Sequence, residues 1–228
     1  MKPTTRLRQL IAAPDILRMP CAHDGLTARI AQDLGFQALC LGGYGSSATL
    51  LGRPDVGLMT QTEMVEHTAR LADSVALPLF VDADTGHGNA TNTARTVRAL
   101  ERAGAAGLFI EDQVAPKRCG HMTGKSVVSR EEMLSKLKAA LDARADEDFV
   151  IMGRTDALAV HGMDEAILRG NLMREAGADM IFVEAPRTLD ELRRIAKDVP
   201  GPLFTVYLEG GVIPLTPPAT LQDMGYAV

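Results

Sequence analysis

Short apolar runs alternate along the chain with longer segments in which apolar residues recur at helical spacing. Turn-forming residues bound each apolar run, as is typical of buried strands in a parallel sheet. Seven strands are predicted, at Ile16–Cys21, Ala38–Leu41, Leu79–Val81, Gly107–Ile110, Phe149–Met152, Met180–Val183 and Leu203–Tyr207. Amphipathic helices are predicted between them, among others at Thr93–Ala103, Glu131–Ala145, Asp164–Ala176 and Leu189–Lys197. An eighth strand begins at Tyr226 and is truncated by the end of the sequence.

One joint between helix and strand recurs in the sequence. Arg102–Glu111 resembles Arg174–Glu184, and weaker copies lie at Asp33–Leu41 and Asp223–Val228. Each copy contains a helix end, a glycine that terminates the helix and a short apolar run, which is the repeating joint of a parallel α/β protein.

Seven βα units and a started eighth predict a (β/α)8 TIM barrel, an α/β fold, rather than a doubly wound sheet. The dinucleotide-binding form of that sheet is disfavoured because no GxGxxG motif follows the first strand. No linker or low-complexity segment divides the chain, so residues 1–228 are expected to form a single barrel domain, with C-terminal helices missing from the sequence. The truncated eighth strand leaves the barrel open as written, so either residues are missing from the sequence or the barrel closes differently.

Composition excludes several classes of function. The net charge of −5 comes from interspersed acids and bases, and only 4% of residues are aromatic, so binding to nucleic acid is not expected. No apolar stretch approaches the roughly 18 residues that a membrane span needs. The three cysteines form no CxxC pair and the N-terminus lacks a signal-peptide pattern, so we expect reduced thiols and a cytoplasmic protein.

Charged or glycine residues directly follow nearly every predicted strand. Parallel barrels carry their chemistry at the C-terminal ends of the strands, so these residues are expected to share one site. They are His23, Asp24, Gly42, Gly43, Asp82, Asp84, Glu111, Asp112, Arg154, Asp156, Glu184 and Glu209.

The segment Asp82-Ala83-Asp84-Thr85-Gly86 is the sharpest local feature of the sequence. With Glu111 after the next strand and Asp55 from the loop after the second strand, four carboxylates could surround one ion. Hard oxygen ligands with few histidines nearby favour Mg²⁺ or Mn²⁺ over zinc. The alternative is that Asp82 and Asp84 merely cap the helix that follows.

A second motif, Lys117-Arg118-Cys119-Gly120-His121, lies in a long loop after the fourth strand. The basic neighbours are expected to lower the pKa of the Cys119 thiol and to make it a proton donor or a nucleophile. The alternative is an incidental loop cysteine. Cys21 and Cys40 lie inside apolar runs and are interpreted as core thiols.

These motifs together resemble the isocitrate lyase/phosphoenolpyruvate mutase superfamily. The likeness rests on Gly52–Asp55, Val81–Gly86, Ile110–Gln113, Lys117–His121 and Phe149–Ala157, and it runs along the whole chain. The lyase branches that act on 2-methylisocitrate and 2,3-dimethylmalate are the most similar, because the mutase branch has a different loop without a cysteine where Cys119 stands.

The resemblance implies a role for each candidate site residue. Asp82 and Asp84, helped by Asp55 and Glu111, would hold Mg²⁺, and the amides around Gly42, Gly43 and Tyr44 would bind the substrate carboxylate. Arg154 would balance the charge of the cleaving fragment, and Cys119 would protonate the product. Gly120 and His121 would shape the loop, and Glu184 would contact substrate. A homotetramer is also implied.

The expected activity is cleavage of a carbon–carbon bond in a small 2-hydroxy di- or tricarboxylate, giving pyruvate and a smaller carboxylate. Val206 and Leu208 stand where tricarboxylate-cleaving relatives offer polar side chains, so we expect a substrate with an apolar end, such as a 2-alkylmalate. The alternatives are an oxaloacetate decarboxylase or hydrolase on the same fold, and a non-catalytic barrel that binds a carboxylate.

Overall fold

The computed structural model describes residues 1–228 and contains one parallel sheet of six strands, in which each strand pairs with the next along the chain. The register places Glu111 opposite Arg154, and Asp82 opposite Phe109. Polar residues at the ends of neighbouring strands therefore meet at one rim. The strands are β1 (Leu39–Leu41), β2 (Leu79–Asp82), β3 (Gly107–Glu111), β4 (Val150–Thr155), β5 (Met180–Val183) and β6 (Leu203–Phe204).

Ten α-helices surround the sheet, and a π-helical turn at Ser47–Leu51 follows the third of them. None of these helices is long and apolar enough to cross a lipid bilayer. They are α1 (Pro3–Ile11), α2 (Gly25–Asp33), α3 (Gly43–Ser46), α4 (Gln61–Ser74), α5 (Ala90–Arg102), α6 (Arg130–Ala143), α7 (Ala157–His161), α8 (Met163–Glu175), α9 (Leu189–Asp198) and α10 (Pro218–Met224).

Two short segments extend the sheet and bring its edges together. Cys21 forms a parallel bridge with Cys40 of β1, and Tyr226 forms one with Leu203 of β6. The Leu17 amide donates to the Ala227 carbonyl at 2.8 Å, which joins these outer segments. The structure is therefore a barrel whose outer segments meet at the N-terminal end of its strands, which agrees with the expectation that the barrel closes differently.

Apolar residues form two layers, one inside the barrel and one between the sheet and the helices. The inner layer is built around the rings of Phe80, Phe109, Phe182 and Phe204, and the last two meet edge-on with centroids 5.0 Å apart. Leu7 of α1 is fully buried against this inner layer, so α1 covers the N-terminal end of the barrel. The end of the barrel at which the strands terminate is not covered by α1.

The four helices predicted by name are confirmed, and their ends differ from the prediction by at most three residues. Several begin at side chains that accept a hydrogen bond from the first turn, such as Ser129 at α6 and Thr188 at α9. The strand predicted at Leu203–Tyr207 is shorter than expected. The strand ends at Phe204, and the Thr205 amide then donates to the Val228 carbonyl at 3.0 Å.

A glycine at the start of β3 gives a test of this packing. A Cβ on Gly107 would lie 2.6 Å from the Val150 carbonyl oxygen, so Gly107→Ala would force β3 and β4 apart. We expect it to lower the free energy of unfolding by about 1–3 kcal/mol, measured by urea denaturation. The control is Gly25→Ala in the first turn of α2, where the new methyl would make only an ordinary 3.5 Å contact with Ser74. Equal destabilisation by the two substitutions would contradict this account.

Candidate active site

A cavity of about 760 Å³ opens at the rim where the strands end. Its polar wall includes Asp55, Asp82, Arg154 and Glu184, and the loop containing Cys119 lines it as well. Several residues predicted from strand ends, and those of the basic loop from Cys119 to His121, are thus brought to one place.

The turn after β2 is held by the first of its two aspartates. Asp82 Oδ1 accepts from the Asp84 amide at 2.9 Å, and Oδ2 accepts from the Gly43 amide at 3.0 Å. Asp84 takes a positive φ of 48°, a rare conformation for a residue with a side chain. The N-cap of α5 is Asn89, so the interpretation of Asp82 and Asp84 as helix caps is wrong.

A lysine ammonium lies among these carboxylates. Lys117 Nζ is 2.8 Å from Asp55 Oδ2 and 2.7 Å from Asp84 Oδ1, and the side chain is only 3% exposed. Burial raises the pKa of Asp84 to about 6, although the Lys117 charge opposes the shift. The pKa of Lys117 is raised in turn, because the surrounding carboxylates outweigh the effect of its burial.

Arg154 organises the other half of the rim. Its guanidinium binds both oxygens of Asp156, at 3.0 and 3.1 Å, and lies 3.2 Å from Glu111 and 3.2 Å from Glu184. The guanidinium carbon also lies 5.4 Å from the centre of the Phe182 ring, in a cation–π contact. Three buried carboxylates thus share one guanidinium.

Glu111 carries the clearest sign of uncompensated charge. Burial raises its pKa well above the ordinary value, against the pull of Arg154, and its Oε1 atom is buried without a hydrogen-bond partner. A buried carboxylate oxygen without a donor is costly unless it gains a proton or a cation. The donor set therefore fits a hard divalent cation.

The four predicted metal residues are close together, but no three of them are arranged to hold one ion directly. Mg²⁺ commonly keeps several waters and contacts only one or two carboxylates, so a site that holds some ligands through water fits this arrangement.

The loop after β3 is folded over the rim. The Cys119 amide donates to the Asp55 carbonyl at 3.0 Å, and Lys125 Nζ donates to the Gly120 carbonyl at 2.6 Å and to Asp156 at 2.7 Å. His121 Nδ1 accepts from the Val212 amide at 3.1 Å, which ties the loop to the segment after β6.

Gly120 packs directly on the ion pair beneath it. A Cβ at this position would lie 2.5 Å from Arg154 Nη2 and 2.4 Å from Glu184 Cδ. Only a glycine lets the loop come this close to the rim.

Two expectations about the thiols are wrong. Burial raises the pKa of Cys119 and outweighs the opposing effects of the His121 amide, Arg154 and Lys117, whereas the basic neighbours were expected to lower this pKa. Cys40 is buried as expected of a core thiol, but Cys21 is exposed on the cavity wall.

Other predicted residues lie at the rim with different contacts. The Gly43 amide is already bound by Asp82, and the Tyr44 side chain is 64% exposed. Gly42 lines the cavity beside them. Asp24 was grouped with the rim, but its side chain accepts from the Thr27 amide and caps α2.

Sequence reasoning missed two side chains that build the site. Lys125 neutralises Asp156 and binds the loop, and Gln113 holds the Arg118 backbone through both its amide oxygen and its amide nitrogen. Gln113 follows β3 and belongs to the Ile110–Gln113 motif, so its position in the sequence could have identified it. Lys125 lies in an irregular loop, where no pattern marked it.

The family described as phosphoenolpyruvate phosphomutase matches residues 7–228. The chain belongs to the isocitrate lyase/phosphoenolpyruvate mutase superfamily. Three related proteins align with 97% or more of this chain. The 2,3-dimethylmalate lyase of Eubacterium barkeri is 47% identical over 228 residues, which are 79% of its own length. The 2-methylisocitrate lyase of Aeropyrum pernix is 43% identical over 227 residues, 73% of its length. The chloroplastic carboxyvinyl-carboxyphosphonate phosphorylmutase of Arabidopsis thaliana is 49% identical over 227 residues, 67% of its length.

Solved structures of the superfamily have the same fold. Oxaloacetate acetylhydrolase in complex with 3,3-difluorooxalacetate superposes with a TM-score of 0.95 at 36% identity, covering 99% of this chain and 78% of that one. Phosphonopyruvate hydrolase with oxalate and Mg²⁺ superposes with a TM-score of 0.87 at 33% identity, covering 100% and 79%. The predicted barrel and superfamily are confirmed, and the chain is an enzyme of the carbon–carbon lyase class.

The contact under the loop gives a test of the site. Gly120→Ala adds a methyl that overlaps Arg154 and Glu184, so the loop cannot seat on the rim. We expect kcat/KM to fall about 100-fold, the scale of a loss of precise positioning, with an unchanged melting temperature. The control is Thr123→Ala in the same loop, whose side chain is exposed. Full activity of Gly120→Ala would show that the loop need not close.

Proposed function

We propose that this enzyme uses Mg²⁺ to cleave a 2-hydroxy-carboxylate of the 2,3-dimethylmalate or 2-methylisocitrate type, with pyruvate and a smaller carboxylate as products. The observation that carries the proposal is the meeting of Asp55, Asp82, Arg154 and the Cys119 loop around one cavity. The buried carboxylates of Asp84 and Glu111 lie next to these residues, paired with Lys117 and Arg154. The two lyase relatives named above support the choice of substrate class.

Asp82 and Asp84 would hold the ion with help from Asp55 and Glu111, as the surplus of buried negative charge supports. Bound there, Mg²⁺ supplies Lewis acidity at the substrate oxygen that becomes a carbonyl. The Mg²⁺ in the related phosphonopyruvate hydrolase supports the identity of the metal.

The protein's own groups supply charge balance and a proton. Arg154 is fixed by Asp156 on one side and faces Glu111 and Glu184 on the other, so it is positioned to offset negative charge on the departing carboxylate fragment. Cys119 keeps its proton because burial raises its pKa, and a protonated thiol at the cavity wall is suited to protonate a carbanion. The seated loop excludes water from that reactive species.

The cavity also has an apolar part of its lining, which supports a substrate with an apolar end. Phe109, Phe182 and Phe204 line it, together with the half-buried Val206 and Leu208. A third carboxylate packed against these apolar side chains would lose its hydration and gain no hydrogen bond from them, although the neighbouring Thr205 hydroxyl is unpaired. This favours a branched malate over a tricarboxylate.

We also propose a homotetramer working in the cytoplasm. The resemblance to the lyase branches supports the tetramer, and the three free thiols support a reducing compartment. Light scattering during size-exclusion chromatography measures the first of these directly.

Hydrolysis of oxaloacetate is the second candidate function. It is favoured by the close superposition on oxaloacetate acetylhydrolase, whose bound inhibitor is an analogue of a dicarboxylate keto acid.

A substrate panel distinguishes the two activities. With Mg²⁺ and a coupled lactate dehydrogenase, we expect pyruvate from 2,3-dimethylmalate or 2-methylisocitrate, little turnover of isocitrate, and no signal after EDTA. Cys119→Ser should lower kcat at least about 100-fold, because the thiol provides the proton. Met122→Leu in the same loop is the control. Oxaloacetate is followed by its own disappearance, because its hydrolysis gives oxalate and acetate and no pyruvate. Turnover of oxaloacetate alone, indifferent to Cys119→Ser, would assign the enzyme to the hydrolases or decarboxylases, and a low KM for isocitrate would contradict the apolar end.

Metal binding has its own readout in stability. At a Mg²⁺ concentration about 100 times the Kd, binding to the folded state adds about 2.7 kcal/mol to the free energy of unfolding. We therefore expect Mg²⁺ to raise the melting temperature of the wild type and to leave Asp84→Asn nearly unchanged. Asp73→Asn, at an exposed position on α4, should respond like the wild type. A Mg²⁺ response that survives in Asp84→Asn would remove Asp84 from the metal site.

A further inference from the structure

Two cysteines stand opposite one another on neighbouring strands at the cavity. Cys40 of β1 donates its amide to Pro20 at 3.0 Å and accepts from the Ala22 amide at 2.9 Å, which places Cys21 directly across from it in a parallel bridge. Neighbouring strands lie about 4.8 Å apart, which is within the Cα spacing of about 4.4–6.8 Å that a disulfide bridges.

Both side chains face the inside of the barrel. Cys40 packs with Phe80 and Phe109 in the inner layer, whereas Ala22, the neighbour of Cys21, packs in the outer layer. Because successive side chains of a strand point to opposite faces, Cys21 faces inward like Cys40. Both residues line the cavity, with Cys21 exposed to it and Cys40 only 5% exposed.

We propose that Cys21 and Cys40 form a redox dithiol, a modification site in the wall of the catalytic cavity that a hydroperoxide converts to a disulfide. The exposed Cys21 is the thiol that reacts first, and the buried Cys40 resolves the product. Neither residue has a part in the lyase chemistry proposed above.

The reaction balances with one hydroperoxide for each disulfide. The Cys21 thiolate attacks the terminal peroxide oxygen, the O–O bond breaks, and the alcohol or water leaves with one proton, so that Cys21 becomes a sulfenic acid. The Cys40 sulfur then attacks the Cys21 sulfur, the S–S bond forms, and the sulfenic oxygen leaves as water with the Cys40 proton. The two thiols are oxidised by two electrons and the peroxide is reduced by two.

The surroundings of the three thiols direct the reaction to this pair. A hydrogen bond with the Cys40 thiol lowers the pKa of Cys21, which increases its thiolate fraction. Burial raises the pKa of Cys119, and Cys119 has no cysteine across from it. Peroxide should therefore consume the pair before it reaches the catalytic thiol.

The test uses the full chain, reduced and freed of reductant, and then treated with hydrogen peroxide in small excess. We expect the free thiols to fall from three to one, the intact mass to fall by two hydrogen atoms, and peptide mapping to find Cys21 linked to Cys40. Dithiothreitol should restore all three thiols. Cys119→Ser should form the same link, and Cys21→Ser should form none.

Phenylarsine oxide provides a second test that does not depend on peroxide chemistry. This trivalent arsenical binds two adjacent thiols, so it should add once to the wild type and to Cys119→Ser, and not to Cys21→Ser. A disulfide that includes Cys119, oxidation of Cys21 to a sulfinic acid without a link, or arsenical binding that survives in Cys21→Ser would overturn the proposal. None of these readouts needs a lyase substrate, so their failure is separate from failure of the proposed function.

Discussion

A cluster of buried carboxylates lies at one end of the barrel, and fewer buried cations are present to pair with them. The rest of the structure depends on this imbalance of charge. Lys117, Lys125 and Arg154 each contact at least two acceptors there, and the pKa of Asp84 and of Glu111 is still raised. A folded chain keeps such a surplus only if other parts of the protein supply the stability that it removes. Here the two apolar layers and the closed sheet supply it.

The same shortage of positive charge explains why the loop is part of the site. Lys117 belongs to the loop, but its ammonium is buried between Asp55 and Asp84, and Cys119 hydrogen-bonds the Asp55 backbone. Lys125 at the other end of the loop pairs with Asp156, which itself orients Arg154. The position of the loop and the charge balance of the rim therefore depend on the same contacts, and these contacts also position the thiol that we propose as the proton donor.

Sequence predicted the parts of this arrangement that follow from local pattern. Alternating apolar runs and amphipathic segments fixed the barrel, and parallel strands then brought Asp82, Glu111 and Arg154 to one rim. The direction in which neighbouring charges and burial shift a pKa was harder to predict. The basic residues near Cys119 were expected to lower the pKa of its thiol, but the burial of Cys119 raises that pKa by more. The burial of a loop residue cannot be read from residue order. Cys21 was placed in the core for a similar reason, because an apolar run does not reveal a cavity beside it.

The hydrogen bond from Leu17 to Ala227 has a consequence for the order of folding. Every other pairing in the sheet joins strands that are neighbours along the chain, so each can form as soon as its own βα unit has collapsed. The seam alone joins segments near opposite ends of the sequence, and loop-closure entropy opposes it until the intervening units are in place. Once the curved sheet has formed, it holds Leu17 and Ala227 near each other and so lowers the entropy cost of their contact. Barrel closure is therefore a late step in folding.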